Sequence, residues 1–140
     1  MWLALLLLLQ DAFAPVDAAK LPFVIALPPG AVIEQQGVSD YMTWRVRQGP
    51  ETILTIRSGI FAAPMLGMER QTGPVRQLRN CRDGVMVSRT VLLAAPLADR
   101  SLLIGTAAGR TEIADPILAS IRVPGQHEGV RRNELITCQS

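Results

Sequence analysis

Few side chains in this sequence could carry acid–base or nucleophilic chemistry, and His127 is the only histidine. It lies in a turn-like stretch, residues 124–129, where we expect it to be exposed to solvent. No second histidine follows His127-Glu128 at zinc-protease spacing, and no Gly-rich phosphate loop precedes a helix. The sequence therefore predicts no catalytic residue, no metal site and no cofactor. A small hydrolase that uses His127 as its base remains the enzyme alternative.

The only two cysteines are Cys81 and Cys138. They lack the Cys-x-x-Cys spacing of redox-active pairs, and paired cysteines of this kind persist in oxidising compartments. We therefore predict a structural disulfide that ties down the C-terminal tail. On the chain-entropy model, closing a loop of this length stabilises the fold by about 4 kcal/mol.

Two surfaces could contact an anion or a partner. Arg76, Arg79 and Arg82 recur every three residues and would form a basic edge if this segment were helical, with Arg70 nearby. The alternative is an ordinary solvated face. A second candidate is an adaptable apolar contact surface, for which core filling under a loop is the alternative; its residues are Met65, Leu66 and Met68.

The N-terminus has the pattern of a secretory signal peptide. Trp2–Leu9 is an unbroken apolar run, which suits a signal-peptide core, whereas a membrane-spanning helix needs about 20 residues. Small residues allow cleavage after Ala14 or, preferably, after Ala18. A buried N-terminal helix is the alternative. We predict a signal peptide at 1–18, a single domain at 19–140 and a periplasmic or secreted location, with no transmembrane segment in the mature chain.

The charge of the predicted mature chain is mild. Loss of Asp11 and Asp17 with the leader leaves 14 basic and 10 acidic residues, a net charge of +4. Nucleic-acid binders usually carry a stronger and clustered excess, and aromatic residues make up only 4% of the sequence. We therefore expect no nucleic-acid partner; the partner is an unidentified protein or small molecule.

A hairpin is the clearest local element. The segment 41–47 alternates apolar and polar residues, and a second strand at 52–57 follows the turn residues 48–50. A three-residue loop would place Trp44 opposite Leu54 and Met42 opposite Ile56. This register leaves Ile53 as the one apolar residue on the polar face.

Further strands and one helix complete the prediction. We expect Asp115 to cap a short helix with Pro116 at its first position, ending at Ile121. The run at 101–106 is continuously apolar and predicts a central strand covered on both faces. Other predicted extended segments are 20–26, 31–34, 75–82 (or one helical turn), 85–95 and 135–138. The fold class is α+β, a small mainly antiparallel sheet of five to seven strands with one or two short helices packed on it.

Two short segments resemble a known family. One is Phe23-x-Ile25-x-Leu27-Pro28-Pro29-Gly30, ahead of a hairpin with Tyr41 and Trp44; the other is Ala114-x-x-Ile117-Leu118-x-Ser120-Ile121. In their order they are similar to the PsbP-like α/β/α sandwich family of small exported accessory domains. The resemblance implies a sandwich fold and an accessory or binding role, and it transfers no functional residue.

The sequence therefore favours an exported, non-enzymatic binding or accessory domain. One alternative is an inhibitor-like protein that blocks a partner through the apolar surface at 65–68. The other is the small hydrolase described above.

Overall fold

A computed structural model describes residues 12–36, 42–59, 70–72, 75–97, 100–107 and 109–139. It contains eight strands in this part of the chain: β1 (Phe13–Pro15), β2 (Ala31–Gln36), β3 (Met42–Gln48), β4 (Glu51–Ser58), β5 (Arg70–Thr72), β6 (Val75–Arg82), β7 (Val85–Leu93) and β8 (Leu102–Thr106). One α-helix, α1, spans Thr111–Ser120, and 3-10 helices span Ala18–Lys20 and Arg132–Glu134.

All eight strands form one antiparallel sheet in the order β1-β2-β3-β4-β8-β7-β6-β5. It consists of two four-stranded meanders that join at β4 and β8. The prediction of a mainly antiparallel sheet with a helix on it is confirmed. The described part has eight strands, one more than the predicted upper limit of seven, and two of them are edge strands of only three residues. The fold therefore contains more sheet than the α+β prediction implied.

The hairpin β3–β4 has a different register from the predicted one. Gln48 pairs with Glu51, so the turn has two residues and not three. A β-bulge at Ile53 follows, and beyond it Trp44 pairs with Ile56, two residues further along than predicted. The bulge inserts the extra residue that the simple alternation could not accommodate, and Ile53 is buried in the core.

The core lies between one face of the sheet and α1. A row of directly paired residues crosses four strands on this face: Trp44, Ile56, Ile104 and Val91. All are buried, and α1 covers them with Ala114, Ile117 and Leu118. β8 is central, as predicted, but its residues alternate between buried and half-buried, so only one of its faces is fully covered.

The helix begins earlier than predicted. α1 starts at Thr111, so Pro116 lies inside it and Asp115 is not the N-cap. Pro116 removes one helical hydrogen bond, a cost that burial of the helix face offsets. Because the Asp115 carboxylate does not cap the helix, it is available to accept a hydrogen bond from the Arg89 guanidinium.

Two predicted strands are not strands in the structure. The segment 20–26 forms only an isolated bridge, Val24 to Arg122. The tail at 135–138 is held by side chains instead of a ladder, as described below. The run at 75–82 is a strand, which settles the choice between strand and helical turn.

The predicted leader overlaps the described fold. β1 pairs with the edge of β2, and the Val16 N–H donates to the carbonyl of Ile33 at 3.2 Å. Cleavage after Ala18 would therefore remove β1 and leave β2 at the edge of the sheet; the signal peptide stays a prediction. Within the described residues, no helix combines the length and apolar composition that a membrane crossing requires.

Candidate functional site

A cleft of about 580 Å³ opens between the extended segment 21–25 and the turn 123–126. Two backbone hydrogen bonds between Val24 and Arg122, at 2.8 and 3.1 Å, fix the spacing of these segments. The Ala26 N–H donates to Ser120 Oγ at 2.9 Å, which attaches the extended segment to the end of α1. We call this feature the Arg100 cleft, because Arg100 and Leu97 close its third side.

A smaller cavity of about 210 Å³ adjoins the Arg100 cleft. The two share Pro22, Arg100 and Val123 as walls. The smaller cavity reaches inward to Trp44, whose ring meets Phe23 edge-to-face with centroids 5.0 Å apart. This T-shaped pair is a favoured geometry for aromatic rings, and both rings are buried at the base of the site.

The Arg100 cleft combines a cationic side chain with exposed apolar surface, a combination that suits a ligand. Among the described residues that line the cleft or the adjoining cavity, Arg100 is the only charged one. Val24 and Leu97, two of the few large apolar side chains exposed on the described surface, are 38% and 55% exposed at its walls. Open apolar surface beside a cationic side chain is typical of a binding site.

His127 is not exposed to solvent as predicted; it is 8% exposed. Two 2.8 Å backbone hydrogen bonds pair it with Val123, and its Nδ1 accepts from the Gly129 N–H at 2.8 Å. Burial lowers the pKa of His127, and nearby Glu128 opposes this shift. The imidazole thus uses its one lone pair to hold the turn at 123–129, and the buried Nε2 carries the proton with no described partner. In this state His127 has no lone pair for general-base chemistry.

An ion cluster around the buried Glu34 carboxylate, on the opposite face of the sheet, was not predicted. Glu34 accepts from Arg45 Nε at 2.7 Å and from Arg47 Nε and Nη2 at 2.6 and 2.9 Å. The hydrogen bond from Arg47 is the largest effect on the Glu34 carboxyl, and with the Arg45 contacts it lowers the pKa to about 2 against the cost of burial. The Arg45 guanidinium also lies 4.1 Å from the centre of the Phe13 ring. The pairing register of β2 with β3 could have revealed this cluster, because it places Glu34 directly opposite Arg45.

The C-terminal tail is held by polar side chains of β6 and β7. Gln77 donates to the carbonyl of Glu134 at 2.8 Å and accepts from the Ile136 N–H at 2.9 Å. Arg89 is fully buried and donates to the carbonyl of Ile136 at 3.2 Å and to Asp115. These contacts satisfy the Glu134 carbonyl and both backbone polar groups of Ile136, in a segment that has no strand partner.

The predicted disulfide closes the same region. The Cys81 and Cys138 sulfur atoms are 2.10 Å apart, which is disulfide distance. The bond joins the end of β6 to the tail, so its position agrees with the predicted role of preventing fraying.

The four arginines of the predicted basic edge do not share one face. Because 75–82 is a strand, Arg76 and Arg79 point to opposite faces of the sheet. Arg79 donates to the carbonyl of Thr137 in the tail, and Arg82 is exposed beside the turn to β7. Arg70 lies in β5 opposite Gln77. An anion-binding role for these arginines stays a prediction.

The predicted apolar surface at Met65, Leu66 and Met68 lies outside the described residues. Within the described part of the chain, no three His, Cys, Asp or Glu side chains are close enough to hold a metal ion together. Comparison with protein-family models, with curated proteins and with solved structures found no match to this chain.

Proposed function

We propose that this chain is a small exported binding domain and that its ligand site is the Arg100 cleft. The observation that carries the proposal is the cleft itself. Its volume of about 580 Å³ falls within the range of small-molecule sites, and its described lining residues are mainly apolar, with one charged residue among them. Binding, without chemistry on the ligand, is the function that such a lining supports best.

Export is supported by two features of the chain. The apolar run and small residues at 1–18 have the pattern of a signal peptide. The Cys81–Cys138 bond is of a kind that persists in the periplasm or outside the cell. The PsbP-like resemblance, which implies an accessory or binding role, agrees with the same proposal.

Intact mass tests the export part of the proposal. The chain is expressed in a bacterium, recovered from the periplasm and weighed with and without reduction and alkylation. We expect a mass that starts near Ala19 and takes up two alkyl groups only after reduction. A full-length mass with two free thiols would contradict export and would leave the cysteines free for other chemistry.

A neutral fluorescent probe, N-phenyl-1-naphthylamine, tests the cleft part. We expect saturable binding at one site in the wild type. Replacing both Val24 and Leu97 with Asn should weaken it roughly ten-fold, since each loses part of the 1.5–3 kcal/mol that a buried aliphatic side chain contributes.

The matched control replaces a valine and a leucine of comparable exposure away from the cleft. Val32 is 43% exposed and Leu78 is 40% exposed, and both lie on the other face of the sheet. The Val32→Asn/Leu78→Asn protein should bind the probe as the wild type does. Equal weakening in the two double variants would contradict the assignment of the site.

A further inference from the structure

The positive charge of Arg100 favours a negatively charged ligand in the Arg100 cleft. Arg100 lines both the cleft and the adjoining cavity, and no described carboxylate in either lining neutralises it. A cleft with apolar walls and one sign of charge concentrates oppositely charged solutes. Cleavage after Ala18, the predicted processing site, would add the α-amino group of Ala19, a residue that already lines the cleft.

The apolar walls of the cleft favour a ligand with an aliphatic chain. Val24 and Leu97 expose side chains that an aliphatic chain would cover, and the half-buried Ile25 also lines the cleft. The guanidinium offers two parallel N–H donors, a geometry that matches the two oxygens of a carboxylate. One acidic head and one aliphatic body together complement this lining.

We propose that the Arg100 cleft binds amphiphilic organic acids, with the acid group on Arg100 and the aliphatic chain over Val24 and Leu97. This inference rests on the proposed function and names the ligand class of the same site. The ligand enters the cleft as a free molecule. The cleft is a recess lined by three segments, so a single aliphatic chain can enter it, whereas the flat surface of a membrane cannot.

Isothermal titration calorimetry at pH 7.5 tests the proposal with decanoate as the probe and 1-decanol as its neutral match. The wild type should bind decanoate roughly ten-fold more tightly than decanol at low salt, and less selectively at 0.5 M salt, where exposed charges are screened. Octanoate should bind about fifteen-fold more weakly than decanoate, since each buried methylene is worth about a factor of four.

Variants separate the charge from the apolar contact. Arg100→Gln should remove the preference for decanoate over decanol, and Arg100→Lys should restore most of that preference. Arg57→Gln is the matched control, because Arg57 is an exposed arginine on the other face of the sheet. It should behave as the wild type.

The outcomes distinguish this inference from the proposed function. Equal affinity for decanoate and decanol, or a preference that survives Arg100→Gln, would overturn the acid class while the cleft remains a binding site. Binding only to vesicles of an anionic phospholipid would overturn the free-ligand inference. Failure of decanoate, decanol and the naphthylamine probe alike would overturn the proposed function itself.

Discussion

Neutralising Glu34 should destabilise the protein at neutral pH but not in strong acid. The Glu34 carboxylate is buried and accepts three hydrogen bonds from Arg45 and Arg47. Its pKa is about 2 in the fold against an ordinary value of 4.5. A carboxyl whose pKa is lowered on folding contributes stability that is present above the unfolded pKa and is lost as the pH falls through the folded one. The contribution is therefore complete above pH 4.5 and declines toward pH 2.

The free energy of unfolding that Glu34 contributes follows from the difference between its folded and unfolded pKa and from the solvent exposure of its partners. About 2.5 pKa units correspond to about 3.4 kcal/mol at 1.36 kcal/mol per unit, which is an upper limit. Arg45 and Arg47 have side chains 32% and 29% exposed, so water and salt weaken the pairs. We expect Glu34→Gln to lower the free energy of unfolding by about 2 kcal/mol at pH 7.

Urea unfolding followed by the fluorescence of Trp44 measures this effect at pH 7, 4 and 2.5. The difference between wild type and Glu34→Gln should be largest at pH 7 and should shrink steadily below pH 4.5. Glu51→Gln is the control, because Glu51 is half-exposed and pairs with Arg110 at the surface; it should cost less than about 0.5 kcal/mol at any pH. A Glu34→Gln difference that is independent of pH would refute the reasoning.

Three further predictions concern stability. The Cys81→Ser/Cys138→Ser protein should lose about 4 kcal/mol in urea unfolding, and reduction of the wild type should reproduce that loss; unchanged stability in both would contradict it. Because burial lowers the pKa of His127 from 6.5, its neutral form is favoured in the fold, and stability should fall as the pH drops below 6.5. In His127→Asn, whose side-chain oxygen can still accept the loop N–H, this decline between pH 7 and 5 should largely disappear; a decline that matches the wild type would assign it to other groups. Gly129 has φ +95°, and a Cβ there would meet a backbone oxygen at 2.4 Å, so Gly129→Ala should cost at least about 2 kcal/mol in thermal unfolding. Gly125→Ala, at φ +75° in open space, should cost about 1 kcal/mol, and equal costs would exclude the steric argument.

Alternation along the chain predicted the hairpin at 41–57, whereas the predicted strands at 20–26 and 135–138 did not form. It could not predict the bulge at Ile53, because alternation assumes one residue on each strand at every step. The assignment of Trp44 to the core face was correct, while its cross-strand partner was wrong by two residues. Local pattern thus fixes the face of a residue more firmly than its partner.

The helix boundary failed for a different reason. Locally, Asp115-Pro116 is a favourable start for a helix, but the buried contact between Asp115 and Arg89 and the burial of Ala114 extend the helix to Thr111. Tertiary contacts of this kind are not visible in a propensity. The same limit applies to His127, since the sequence showed a polar turn but not that the turn folds against the core.

The Arg100 cleft could not be predicted because its walls are far apart in the sequence. Residues 21–25, 97–100 and 123–126 meet only after the sheet has formed and the chain has returned from α1. By contrast, the disulfide followed from cysteine count and compartment alone.

Backbone amide chemical shifts of the disulfide-bonded protein recovered from the periplasm, titrated with decanoate, test whether the Arg100 cleft is the ligand site. We expect the largest shifts at 21–25, at Leu97 and Arg100, and at 123–126, and we expect them to saturate together. Shifts centred on the opposite face, around Arg45 and Arg57, or no shifts at a concentration that saturates calorimetric binding, would contradict that assignment.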